Sequence, residues 1–311
     1  MKLRAAFSNS GGAGVMSSSQ SEEGIELEAM QALDNYINGI KTLPPAPRVL
    51  SQLLVLLNEE EAHAGQIVEL IAYDPALTAK VLQRCNNAAA GLGGSVSNLD
   101  QAVTQVGFNA IYRLVAMVTG EAILGSEQQG YGIAAGEMWE HSVRTALAAK
   151  VMAVKLGGEE NLAYTAALLH DIGKLVLGAF LEGSADTVFR RKGPSGDSLL
   201  EAEKSVLGVE HAEIGGRVLE EWNFPENLVL AVRHHHNPAG ARQHQQLASY
   251  VHLGDIIAHC LALGQKYETF ASRTRAESLQ ILEISPKEMD KLIMETDAAL
   301  EQCGGLIRTT S

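Results

Sequence analysis

The chain has 311 residues, a formal net charge of −13, and 46% apolar residues with only 5% aromatic ones. This length suits one large domain or two modest ones, and the many alanine and leucine residues favour helices packed on helices. The negative charge argues against a general nucleic-acid-binding surface, which needs a basic face. No apolar run approaches the roughly 20 residues that span a bilayer, so we expect no membrane segment.

The amino terminus and the cysteines predict a cytoplasmic protein. The first seven residues include two basic ones, but no apolar stretch of the kind found in secretory signals follows them. Cys85, Cys260 and Cys303 lie far apart in the sequence and form no C-x-x-C pair. They are typical of buried thiols in a reducing compartment rather than of disulfides or zinc ligands.

The front of the chain predicts a flexible leader followed by several helices. Residues 1–24 are rich in Ser and Gly, and such a stretch cannot bury enough surface to offset the entropy of ordering. Apolar residues then recur with helical period over residues 25–125. Asp74 followed by Pro75 predicts the capped start of one helix, and a single helix is expected over residues 102–118.

The rest of the chain predicts a second helical part over residues 126–264, after a polar segment that contains several glycines. Gly157 is expected to end a helix, and Ser285 with Glu288 predicts a capping box in a carboxyl-terminal extension, residues 265–311. The pattern as a whole predicts an all-α fold built as a multi-helix bundle. The helices of the second part are expected over residues 134–156, 163–170, 198–207, 211–222, from 226 to about 234, and 246–263.

The most informative stretch is an apolar helical run, residues 167–175. It presents His170, Asp171 and Lys174 within about one turn of helix. An imidazole can bind one metal ion, whereas a carboxylate has two oxygens and can bridge two ions. Lys174 follows His170 by one turn and would stabilise charge on a phosphoryl group. The alternative is a buried His–Asp pair that is satisfied by hydrogen bonds.

Further candidate ligands gather in the same part of the chain. Each alone has a structural explanation as a helix neighbour, a helix end or a hydrogen-bonded core residue. Together they fit the way in which helical proteins build dinuclear metal sites, from inward-facing carboxylates and histidines of several helices. The candidates are Glu137, His141, His170, Asp171, His211, the run His234-His235-His236, and Asp255.

This donor set predicts two divalent metal ions. Mixed imidazole and carboxylate donors favour iron or manganese, with zinc, nickel or cobalt as alternatives. Two ions about 3.5–4 Å apart would lower the pKa of a water between them and position it for attack on phosphorus. In such a site Asp171, as the bridge, and Lys174 are the expected catalytic residues.

The order of His141, His170-Asp171 and Asp255 resembles the HD superfamily of metal-dependent phosphohydrolases. The front half resembles, more specifically, the HDOD signalling family, and the resemblance covers residues 37 to 263. It implies an all-helical fold, a regulatory role in bacterial signalling and, in many members, a degenerate metal site. The matching stretches are residues 43–47, 71–82 and 102–107.

The ligand positions resemble the fuller set of the related HD-GYP phosphodiesterases. In that family the equivalents of the candidate ligands bind metal, and the equivalent of Lys174 contacts the substrate phosphate. The HDOD pattern favours His235-His236 as the histidine pair, with His234 as the alternative. The Gly-Tyr-Pro signature that should follow the pair is absent, because residues 237–242 read Asn-Pro-Ala-Gly-Ala-Arg. This departure argues against the cyclic dinucleotide pocket of the HD-GYP family.

Three hypotheses follow from the sequence. The first is a regulatory module that binds a signalling partner, with the metal used for structure or sensing. The second is a metal-dependent phosphohydrolase that acts on a nucleotide, a cyclic dinucleotide or another phosphoester. The third is a purely structural cluster without metal, which we disfavour because buried histidines and acids are costly to desolvate without a cation among them.

Overall fold

The computed structural model describes residues 38, 48–57, 64–89, 96–181 and 199–307. Fourteen α-helices and four short 3₁₀ segments lie within them, and the only β-pairing there is one isolated bridge between Gln128 and Ile133. The predicted all-α fold is confirmed. No helix in these ranges is long and apolar enough to cross a membrane. The predictions for the leader and for the helix after residue 25 lie outside the described residues.

The front part begins and breaks its helices at two identifiable signals. The helix that begins at Pro75 is capped as predicted, because Asp74 Oδ1 accepts hydrogen bonds from the backbone N–H groups of Ala76 and Leu77 at 2.9 and 3.0 Å. The prediction of a single helix over residues 102–118 is wrong, because Gly107 adopts a φ of +81° that ends one helix and separates it from the next. The five front helices are α1 (Arg48–Leu57), α2 (Ala64–Ala72), α3 (Pro75–Ala89), α4 (Leu99–Val106) and α5 (Phe108–Leu124).

Nine helices form the rest of the described chain. Gly157, with a φ of +72°, ends the first of them as predicted. The predicted capping box opens the last one: Ser285 N–H donates to Glu288 Oε2 at 2.8 Å, and Glu288 N–H donates to Ser285 Oγ at 3.3 Å. The nine are α6 (Glu137–Leu156), α7 (Glu160–Leu169), α8 (Gly173–Leu181), α9 (Leu199–Leu207), α10 (His211–Glu221), α11 (Glu226–Arg233), α12 (Gln245–Leu263), α13 (Ala276–Ile281) and α14 (Pro286–Ile307).

One continuous hydrophobic core joins the front and back parts, from Leu50 in α1 to Leu292 in α14. Helix α5 packs on α6 and α7, and α14 packs along α6 and also contacts α3. The hydroxyls of Tyr112 and Thr165 share a buried hydrogen bond of 2.5 Å between α5 and α7. The cysteines Cys85 and Cys260 are free and buried, as predicted, and the side chain of Cys303 lies outside the described residues. The predicted domain boundaries stay predictions.

Two glycines permit close contacts around the cluster of candidate ligands. A Cβ on Gly254 would lie 2.8 Å from the carbonyl oxygen of Thr145, so this glycine allows α12 to pack closely on α6. A Cβ on Gly173 would lie 1.9 Å from the carbonyl oxygen of His211 and 2.6 Å from the backbone nitrogen of Gly215. The start of α8 therefore touches the start of α10 through backbone atoms alone.

We expect Gly173→Ala to lower the free energy of unfolding by roughly 3 kcal/mol, the upper end of the usual cost of overpacking, because rigid backbone blocks the added methyl group. Urea denaturation followed by circular dichroism measures this loss. The matched control is Gly65→Ala in α2, where an added Cβ meets nothing within 4 Å. This control should stay within about 1 kcal/mol of the wild type, on the stabilising side. Equal stability of the two variants would contradict the close contact.

Candidate metal centre

Seven of the predicted ligands converge where five helices meet. They form three overlapping groups, and within each group the ligand atoms all lie within 4.8 Å of one another. The ligands come from α6, from the turn after α7, from the first residue of α10, from the turn after α11, and from α12. The groups are His211, His235 and His236; His141, His170 and Asp255; and His170, Asp171 and His235.

Asp171 lies between two groups of histidines. Its Oδ1 atom is 3.1 Å from His211 Nε2, whereas its Oδ2 atom is 3.4 Å from His170 Nε2 and 4.0 Å from His141 Nε2. The residue is buried, and Lys174 Nζ lies 2.5 Å from Oδ2. The two carboxylate oxygens therefore face opposite sides of the cluster, as they would in a carboxylate that bridges two cations.

Backbone carbonyls orient two of the imidazoles. His170 Nδ1 lies 2.7 Å from the carbonyl oxygen of Ala167, and His235 Nδ1 lies 2.7 Å from that of Val232. A carbonyl only accepts hydrogen bonds, so each Nδ1 carries the proton and each Nε2 presents a lone pair to the cluster. His235 Nε2 is completely buried and has no hydrogen-bond partner. An orphaned lone pair among other donors is what a metal ligand looks like without its ion, so the residues fit a metal site.

His211 and His236 meet through their Nε2 atoms, which are 3.0 Å apart. Without a cation, one of these nitrogens must donate a proton to the other. With a cation, both can donate their lone pairs to it. The ring of His236 also lies 3.8 Å, centroid to centroid, from that of His235, so three imidazoles are gathered at this side of the cluster.

Glu203 in α9 is a buried residue of this site that sequence reasoning missed. Its carboxylate accepts hydrogen bonds from the Tyr131 hydroxyl at 2.8 Å, from the backbone N–H of His211 at 2.8 Å, and from His211 Nδ1 at 2.8–2.9 Å. A carboxylate behind an imidazole fixes the tautomer and makes the other nitrogen a stronger metal ligand. In the sequence, Glu203 is an ordinary acidic residue of an amphipathic helix, and no local signal separates it from Glu201.

Burial and neighbouring charges set the protonation of the cluster. Burial lowers the pKa of His211, but the Glu203 and Asp171 carboxylates together outweigh burial and raise the pKa to about 9. Burial lowers the pKa of His170 to about 4, against the opposing pull of Asp171 and Asp255. His170 is therefore neutral near pH 7, whereas His211 is an imidazolium that would lose its proton when a cation binds its Nε2 atom.

One side of the cluster opens toward solvent. His141 Nε2 and Asp255 Oδ1 are 3.0 Å apart, and these side chains keep 18% and 13% of their surface exposed. Lys174 is similarly accessible, with 13% exposed. By contrast, His170, His211 and His235 are fully buried. The cluster is therefore partly exposed at His141, Asp255 and Lys174.

Two predicted candidates lie apart from the converging groups. Glu137 is exposed at the first residue of α6, where its Oε2 atom accepts a hydrogen bond from the backbone N–H of Ala134 at 2.9 Å. His234 is half-buried and packs against Gly240, whose added Cβ would lie 2.7 Å from His234 Nδ1. The structure therefore does not bring Glu137 or His234 into the cluster, whereas the pair His235-His236 lies within it.

The seven converging side chains supply five imidazoles and two carboxylates. Mixed nitrogen and oxygen donors of this kind suit divalent transition metals better than magnesium or calcium, which prefer oxygen ligands. The chain belongs to the HDOD family, since the HDOD domain matches residues 43–238. The resemblance inferred from the sequence is confirmed.

Several crystal structures share this fold. A candidate phosphohydrolase from Shewanella amazonensis has a TM-score of 0.66 and 24% identity, over 88% of this chain and 96% of that one. An HDOD domain protein of unknown function from Geobacter sulfurreducens has a TM-score of 0.65 and 20% identity, over 91% of this chain and 96% of that one. A candidate signal transduction protein from Marinobacter aquaeolei has a TM-score of 0.67 and 22% identity, over 90% of this chain and 66% of that one.

Similar sequences include longer proteins. An uncharacterized protein of Treponema pallidum is 25% identical over 256 residues, which are 78% of this chain and 47% of that protein. Ribonuclease Y of Thermus thermophilus is 32% identical over 102 residues, 33% of this chain and 13% of the ribonuclease. The chain thus spans about half of the first relative and a small part of the second.

Glu203→Gln should weaken metal binding by about 10–100-fold, because a neutral amide no longer makes His211 a strong ligand. Chelator-competition titration of the metal-free protein measures the affinity. Glu201→Gln, in the exposed face of the same helix, is the matched control and should bind metal like the wild type. If the two variants bind metal equally well, Glu203 does not affect the strength of His211 as a metal ligand.

Proposed function

We propose that this protein is an HDOD signalling module whose helices hold two divalent metal ions, iron or manganese in the first instance, and whose metal-loaded form binds a signalling partner. The observation that carries this proposal is the position of Asp171, with one carboxylate oxygen toward each group of histidines. The orphaned Nε2 atom of His235 adds support, because a cation would use its lone pair in that buried position.

We assign separate ligands to each of the two proposed ions. One ion would be held by His211, His235 and His236 together with Asp171 Oδ1. The other ion would be held by His141, His170 and Asp255 together with Asp171 Oδ2. Glu137 is left out of both sets because its carboxylate is used at the start of α6.

Asp171→Ala should lose both ions, because the variant removes the carboxylate whose two oxygens face the two sets of histidines. Elemental analysis of protein purified without a chelating column is expected to give two equivalents of metal for the wild type. The matched control is His234→Ala, which changes a neighbouring histidine outside the cluster and should keep both ions. Wild-type protein that holds no metal after reconstitution with iron or manganese would refute the metal centre.

Removing the metal should also lower stability. A ligand that binds only the folded state stabilises it by about 2.7 kcal/mol when its free concentration is 100 times its Kd. Thermal unfolding of the wild type should therefore shift to lower temperature when a chelator is added, whereas Asp171→Ala should show no such shift. The same shift in both proteins would mean that the chelator acts elsewhere.

A regulatory role is favoured over turnover for two reasons. The segment after the histidine pair lacks the Gly-Tyr-Pro signature of the HD-GYP phosphodiesterases. The structurally similar Marinobacter protein is named as a signal transduction protein. A partner that recognises the metal-loaded protein would bind it more tightly than the metal-free protein, and the partner and the metal would then strengthen each other's binding.

Phosphoester hydrolysis is the second candidate function, favoured by Lys174. Burial lowers the pKa of this ammonium group, but the adjacent Asp171 carboxylate raises it above its ordinary value, so Lys174 stays charged. It stands at the accessible side of the cluster, where it can bind a phosphoryl oxygen and stabilise developing negative charge. When bound, the metal ions would supply an activated water and neutralise the phosphoryl group. The similar Shewanella protein is named as a candidate phosphohydrolase.

Lys174→Met separates the two functions. Under the hydrolytic hypothesis this variant should keep its metal but lose phosphoester turnover by about a hundredfold or more, since one transition-state contact of this kind contributes that much. The measurement is a panel of nucleotide, cyclic dinucleotide and simple phosphoester substrates with iron or manganese present. Lys204→Met, at an exposed lysine of α9, is the control. If the wild type shows no turnover above Asp171→Ala, hydrolysis is excluded and the signalling module remains.

A further inference from the structure

His259 lies against the metal cluster but was not among the predicted ligands. It follows Asp255 by one turn on the same face of α12, and its Nε2 atom is 3.4 Å from Asp255 Oδ1. Its ring centroid is 4.9 Å from that of His141. The side chain is 41% exposed, so His259 stands at the solvent side of the cluster, above the buried histidines.

A segment beyond the HDOD match holds the His259 ring in place. Phe270 is buried and stacks on this ring, with centroids 6.0 Å apart and an interplanar angle of 15°. The guanidinium carbon of Arg273 lies 5.4 Å from the Phe270 centroid. The edge of the ring that carries Nε2 lies toward Asp255.

The distances fit a shared ion better than a hydrogen bond. A charge-assisted N–H···O bond is about 2.7–2.9 Å long, which is shorter than the 3.4 Å between His259 and Asp255. Two neighbouring ligands about 2.1 Å from one octahedral ion are roughly 3 Å apart. His141 Nε2 and His259 Nε2 both lie near this distance from the same oxygen, Asp255 Oδ1, at 3.0 and 3.4 Å.

We propose that His259 is an additional ligand of the ion held by His141, His170 and Asp255. This inference rests on the proposed metal centre. With Asp171 Oδ2, it gives this ion five protein donors, whereas the ion near His211 has four. The two ions would then be unequal, and the partly exposed imidazole of His259 would be the most solvent-accessible ligand of the first one.

His259→Ala tests this assignment in the reconstituted holoprotein. We expect the affinity for one of the two ions to fall by roughly 10–100-fold, while the other binds as in the wild type. Cobalt(II) loading gives a spectroscopic readout, since loss of a nitrogen ligand changes the visible absorption bands of one ion. His244→Ala, at a histidine outside the cluster that precedes α12, should leave both measurements unchanged.

His259→Gln distinguishes a ligand from a hydrogen-bond partner. The amide can still donate a hydrogen bond to Asp255 but cannot replace an imidazole nitrogen, so it should behave like His259→Ala. Recovery of wild-type affinity and spectrum with glutamine would overturn the proposal, as would an unchanged His259→Ala protein. Since His259 is partly exposed, thermal unfolding of the metal-free variants should match the wild type. A wild type without metal would refute the metal centre itself, whereas a metal-loaded wild type with an unaffected variant refutes only the role of His259.

Discussion

Compensation of buried negative charge is the constraint on which this structure depends. The carboxylates of Asp171, Glu203 and Asp255 are withdrawn from water at one junction of helices, where an unpaired charge costs several kcal/mol. Lys174 and the imidazolium of His211 offset part of that charge. His170 and His235 present their Nε2 lone pairs to the cluster, an arrangement that favours cations. The packing of these helix ends therefore places the buried carboxylates beside the cationic groups that compensate them.

Much of the fold could be predicted, because its signals are local. Apolar residues recur with the helical period, and caps such as Asp74 and Ser285 fix where helices begin. The convergence of the ligands was predictable for a different reason. Acids and histidines within apolar helices need partners, and the His170-Asp171 motif resembles a family in which a metal is the partner.

What could not be predicted depends on packing between helices. Glu203 matters only because α9 lies beside the first residue of α10, and its own sequence neighbourhood does not reveal that contact. The break at Gly107 depends on a backbone conformation that glycine permits but does not require. Glu137 has the right spacing from His141 for a shared site, yet its carboxylate bonds to the backbone where α6 begins. His259 gains its position from Phe270, which follows in a separate segment.

The hydrogen bond from Tyr131 to Glu203 connects the cluster to a turn whose first residue, Gln129, is exposed. Tyr131 belongs to a 3₁₀ turn that lies tightly on α8, where a Cβ on Gly130 would come within 2.1 Å of the carbonyl oxygen of Gly178. A protein that bound this turn and displaced the Tyr131 hydroxyl from Glu203 would alter the basicity of Glu203 and therefore the protonation of His211. If this binding changed the metal affinity of the cluster by some factor, bound metal would change the affinity for that protein by the same factor.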